Sequence, residues 1–173
     1  MDMLYINFDL VAEADLSNGF SDNQVRALPN QNELILYETY NQFVNVGQWP
    51  CYIGSNENKS ITSRTKSKLQ GARELGFWYM LNNIRFMFYK VQVAEVFQGG
   101  HLGDFRYLDK KDDLVGMDVE HLLIRWWSWH TGREIELHQQ DYVWEPIVNN
   151  FHYPVVCRHR TLGERAFVNG RSL

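Results

Sequence analysis

The sequence predicts an α+β fold, a small antiparallel sheet flanked by helices in a single domain. Three observations carry that expectation. Several apolar stretches alternate with polar residues or are rich in β-branched and aromatic side chains, and turn residues separate them. At least two other stretches repeat their apolar residues at helical spacing. The length, 173 residues without internal repeat, linker or biased tract, suits one domain with a real core.

The elements follow in chain order. Leu4-Tyr5-Ile6-Asn7-Phe8-Asp9-Leu10 alternates apolar and polar residues, the pattern of a half-buried strand. From Ala12 to Asn32 the chain is punctuated by Asp15, Asn18, Gly19, Asp22, Pro29 and Asn30, a connection with one short helix after Ser21. Leu34-Ile35-Leu36-Tyr37 opens a second apolar run that reaches Val46, and Pro50-Cys51-Tyr52-Ile53-Gly54 forms a third, so the two read as a hairpin. Asn56, Asn58 and Ser60 offer caps for a helix from Ile61 to about Leu75, ended by Gly76.

Phe77 to Leu81, Asn82-Asn83 and Ile84 to Phe97 read as strand, turn and long strand. Residues 99–116 are glycine-rich and charged, hence a loop. Asp118 can cap a helix whose Val119, Leu122, Leu123, Trp126 and Trp127 fall at i, i+3, i+4, i+7 and i+8. Arg133 to His138 and Phe151 to Cys157 are further strand candidates, and Pro146 interrupts the stretch between them.

Composition narrows the function classes. No apolar run approaches the roughly 20 residues of a membrane span, and Met1-Asp2-Met3 lacks the basic start of a signal peptide, so a soluble, cytoplasmic protein is expected. Cys51 and Cys157 are too few for a disulfide framework and read as ordinary thiols. The six histidines include no i, i+4 pair beside a glutamate, there is no Cys-x-x-Cys, and no glycine-rich phosphate loop occurs. His159-Arg160-Thr161-Leu162 resembles half of the signature of two-histidine phosphoesterases, without the other half.

The formal charge of −4 conceals an uneven distribution: residues 1–50 sum to −6, residues 51–90 to +5 and residues 91–173 to −3. A basic middle can face an anionic partner or be a solvated helix face. The 6 Trp, 9 Tyr and 10 Phe exceed what a small core needs, which leaves rings for an interface or for stacking bases. Three tryptophans in four residues, Trp126, Trp127 and Trp129, cannot all face one core from one helix.

The most specific local feature is Tyr52-Ile53-Gly54, preceded by Tyr40 and Tyr37 and followed by Arg64, Glu120 and Asn149. This arrangement resembles the GIY-YIG nuclease family over residues 34–150. Residues 1–33 would then be an N-terminal extension and 151–173 a C-terminal segment. Where the family has Gly-Ile-Tyr, this chain has Glu38-Thr39-Tyr40, with Tyr37 competing for the role.

The resemblance implies hydrolysis of DNA phosphodiester bonds with Mg2+ or Mn2+ held by Glu120, which would polarise the phosphate. Arg64 would stabilise the charge that develops on it, Lys66 and Lys68 would add cationic contacts, Tyr40 or Tyr37 and Tyr52 would position or deprotonate water, and Asn149 would orient the site. Duplex DNA is the expected partner, and a homodimer suits cutting of both strands. Singly, each residue also has a structural reading: Tyr52 and Ile53 as core, Arg64 and Lys68 as a solvated face, Glu120 as a helix-start acid. Two other functions compete, a non-catalytic nucleic-acid-binding module of the modified-base-reader kind and a phage or host-defence protein-interaction domain.

Overall fold

The computed structural model describes residues 3–15, 34–42, 45–55, 84–96, 105–108, 115–135, 155–168 and 171–172. Its strands are β1 (Met3–Asp15), β2 (Ile35–Asn41), β3 (Tyr52–Ser55), β4 (Ile84–Val96), β5 (Phe105–Leu108), β6 (Val155–His159), β7 (Gly163–Val168) and β8 (Arg171–Ser172). The one α-helix among the described residues is α1 (Val115–Thr131).

The strands form one sheet in the order β3-β2-β4-β1-β6-β7-β8. One edge of β4 pairs with β1 along nearly its whole length. Its other edge takes β2 at Ile84–Lys90 and β5 at Val93–Val96, so these two strands follow each other end to end. All pairings are antiparallel except that of β1 with β6, which is parallel from Leu4↔Val155 to Phe8↔His159.

This corrects the expected fold class. Among the described residues the chain is mostly sheet, and the sheet is mixed rather than small and antiparallel. The parallel β1–β6 pair joins residues some 150 positions apart, a contact that local periodicity does not encode. As a result the stretch expected as an N-terminal extension supplies a central strand. The expected C-terminal segment likewise contributes β6, β7 and β8, and the loop expected over 99–116 contains β5.

Local expectations fared better. Leu4, Ile6 and Phe8 point into the core and alternate with the less buried Tyr5, Asn7 and Asp9. The hairpin of β2 and β3 forms as expected, with Thr39↔Tyr52 and Tyr37↔Gly54 in register. Helix α1 begins at Val115, before Asp118, and buries Val119, Leu122, Leu123, Trp126 and Trp127 as its spacing requires. It stops at Gly132, whose φ of 69° is the left-handed conformation that ends helices. Arg133, Glu134 and Ile135 are not strand, contrary to expectation.

The sheet has two buried faces. Against α1 lie Leu36, Tyr40, Ile53, Met87, Tyr89, Val91, Val93, Val155, Cys157 and Phe167 together with the β1 residues. On the other face of the β2–β4 region, Ile35, Tyr37, Ile84, Phe86 and Phe88 form a second cluster, with Ala12 and Tyr52 packed on it. The expected short helix after Ser21, the helix Ile61–Leu75, the strand Phe77–Leu81 with its Asn82-Asn83 turn, and residues 136–150 lie outside the described residues.

Candidate functional site

Successive residues of β2 project to opposite faces of the sheet, and that alternation separates the tyrosines the sequence singled out. Tyr37 points away from α1 and meets Tyr52 from the neighbouring strand, ring centroids 6.1 Å apart. Phe86 and Phe88 flank Tyr37 at 5.9 and 6.2 Å. Gly54 makes the approach possible, because a Cβ there would sit 2.5 Å from Cζ and Oη of Tyr37. The glycine of the Tyr-Ile-Gly triplet is therefore required by the tyrosine of the first strand. Tyr37 is fully buried, whereas Tyr52 is half-buried and brings the pair to the surface.

Tyr40 points the other way, into a cluster centred on Glu38. The Glu38 carboxylate is fully buried and accepts four hydrogen bonds. Its Oε1 receives Trp127 Nε1–H at 2.6 Å and His159 Nε2–H at 2.9 Å. Its Oε2 receives the Tyr40 hydroxyl at 2.8 Å and the Tyr89 hydroxyl at 3.1 Å. The tautomer of His159 follows from its other nitrogen, since Nδ1 accepts the backbone N–H groups of Thr161 at 3.1 Å and Leu162 at 3.2 Å. The donors come from β2, β4, α1 and β6, so one carboxylate joins four elements.

This surrounding commits Tyr40 to a donor's role. Burial, and then the neighbouring Glu38 carboxylate, push its hydroxyl well above the ordinary tyrosine range, and the same causes act on Tyr89. Of the two candidates for the first tyrosine, Tyr37 is the one beside Tyr52.

Glu120 is half-buried on α1, which packs against β3 from the face opposite Tyr37 and Tyr52. β3 ends the strand path among the described residues, so Tyr52 and the helix flank the same sheet edge. Arg64, Lys66, Lys68 and Asn149 lie outside the described residues. Among the described residues no three or more His, Cys, Asp or Glu gather into a metal-holding group. Burial lowers the pKa of the adjacent His121.

The Glu38 cluster escaped the sequence reading. The available signal was one acid inside the apolar run Leu34 to Tyr40, in phase with Leu36 and Tyr40. Its partners at 89, 127 and 159 are brought to it only by the fold. Trp126 and Trp127 are buried, while Trp129 is half-buried against Phe167 at 5.6 Å with the Arg125 guanidinium 5.5 Å from its ring centre. Trp49 carries Arg133 in the same way at 5.4 Å. Neither Cys51 nor Cys157 forms a disulfide, both are buried, and burial raises the Cys157 thiol. No helix among the described residues is long and apolar enough to cross a membrane. Compared with known proteins, the chain matches no protein-family model, no curated protein and no solved structure.

Proposed function

We propose that the chain is a metal-dependent endonuclease of the GIY-YIG kind acting on duplex DNA. The observation that carries this reading is the Tyr37–Tyr52 pair seated over Gly54, which gives the Tyr-Ile-Gly triplet and the first-strand tyrosine one shared location. The scissile phosphate would lie at the rim of β3, between Tyr52 and the helix that bears Glu120. There Tyr52 orients the attacking water through its hydroxyl, and Tyr37 holds the Tyr52 ring in place. Arg64, Lys66 and Lys68 balance the charge that grows on the phosphate oxygens, and Asn149 orients it by hydrogen bonds. Glu120 would hold a Mg2+ or Mn2+ ion, which when bound supplies Lewis acidity at the phosphate.

The test is cleavage of mixed-sequence duplex DNA with Mg2+ or Mn2+, and with EDTA. We expect nicking that EDTA stops. Glu120→Ala should lower the rate at least about a hundredfold while leaving DNA binding within about threefold, the behaviour of a group that acts on the transition state. An absence of cutting with either metal, or a Glu120→Ala variant that cuts like the parent, overturns the reading.

A second reading, a nucleic-acid-binding module without catalysis, is favoured by the guanidinium-on-ring pairs Arg125/Trp129 and Arg133/Trp49, since rings and guanidinium planes are surfaces on which bases stack. It predicts binding that weakens steeply with salt and no cutting.

A further inference from the structure

The turn between β2 and β3 holds Asn45, Val46 and Gly47 in succession at φ of 48°, 58° and 67°. Glycine takes this left-handed conformation freely and asparagine readily, but for a β-branched residue it is an outlier, because the branched Cβ crowds the backbone. Val46 also returns nothing to the core. Its relative exposure is 72%, against 38% for Val11, the other exposed large apolar residue among the described ones. A glycine or asparagine at 46 would form the same turn with less strain. An apolar group held at a stability cost and turned to solvent points to a contact outside the molecule.

The neighbourhood defines the chemistry of that contact. Three residues on, half-buried Trp49 carries the guanidinium of exposed Arg133 over its ring. Within four residues the chain thus carries an exposed apolar tip and an indole that seats a cation. The turn also lies between the strands that bear Tyr37 and Tyr52.

We infer that the β2–β3 tip is a duplex-DNA contact, with Val46 pressing on base edges or a base step in the groove and Arg133 anchoring a phosphate. Apolar side chains on base edges and wedges at base steps are established ways of gripping a duplex, and an arginine pre-set on a ring loses little freedom when it pairs with phosphate. The inference rests on the nuclease reading and extends it to the residues that hold the substrate.

The test measures anisotropy of a labelled mixed-sequence duplex in EDTA across a salt series, with thermal melting and cleavage in Mg2+ alongside. Val46→Asn and Val46→Gly should melt about 2–4 °C higher, as strain is relieved in a chain of this size. Both should bind the duplex about fivefold or more weakly and cut it correspondingly slowly at limiting DNA, the loss expected for one good apolar contact. Arg133→Ala should weaken binding and reduce the slope of log affinity against log salt by about one.

If the parent protein binds and cuts but both Val46 variants match it, or melt lower, the tip is not a contact and the inference is overturned while the nuclease reading stands. An unchanged salt slope for Arg133→Ala overturns the phosphate anchor. If the parent protein binds no duplex, the nuclease reading fails first and this inference falls with it.

Discussion

Glu38 shows how much one side chain can organise. A buried carboxylate is costly unless each lone pair is answered, and here Tyr40, Tyr89, Trp127 and His159 answer all four. The hydroxyls of Tyr40 and Tyr89 are raised above the ordinary tyrosine value, so the folded state holds those protons more tightly than the unfolded chain. Their contribution to stability is accordingly complete below about pH 10, the ordinary tyrosine value, and is lost as the pH rises beyond it. In an alkaline titration followed by tyrosinate absorbance, we expect Tyr40 and Tyr89 to ionise only as the protein unfolds. Tyr89→Phe should remove one of them and cost about 2 kcal/mol by urea unfolding, the usual value for a hydrogen bond to a charged group. A Tyr89→Phe variant as stable as the parent would show that the carboxylate does not depend on this donor.

The β2–β3 hairpin shows where sequence reading works for an element. The two apolar runs and the turn residues between them sufficed to predict the hairpin, and the Tyr-Ile-Gly triplet marked its second strand. What the pattern left open was which tyrosine faces Tyr52. The strand's period of two decides this, once the pairings Glu38↔Ile53 and Tyr37↔Gly54 are known. Gly54 is needed for space, since its Cβ would enter the Tyr37 ring. Gly54→Ala should therefore destabilise by about 1–3 kcal/mol, as overpacking does. The same substitution should cost markedly less in a Tyr37→Leu background, which a double-mutant cycle by denaturant unfolding would read. Equal costs in both backgrounds would show that another neighbour sets the requirement.

At the scale of the whole molecule, the parallel β1–β6 pair and the four-element junction at Glu38 tie the two ends of the chain to its middle. Cys51, just before β3, and Cys157, in β6, lie at strands that are not neighbours in the sheet, and both are buried. If the junction makes the sheet one cooperative unit, both thiols open only with global unfolding. Single-thiol variants Cys51→Ser and Cys157→Ser should then react with a thiol reagent at rates that fall on one unfolding free energy across a urea series. A thiol that reacts through a cheaper opening would divide the molecule into separate units.

The local elements are legible along the chain: the β1 strand, the hairpin of β2 and β3, long β4, and the buried stripe of α1. In each case a hydrophobic period is a property of neighbouring residues and can be read along the chain. The mixed sheet, the central place of the N-terminal strand, and the meeting of Glu38 with Tyr89, Trp127 and His159 came from tertiary structure alone. These depend on which distant surfaces bury one another, and a lone glutamate or histidine in a strand looks the same in sequence whether it meets water or four partners. The candidate site divides along the same line. Its tyrosines and its glutamate were legible as residue types in order, but the choice of Tyr37 over Tyr40 rested on which face of a strand each one takes.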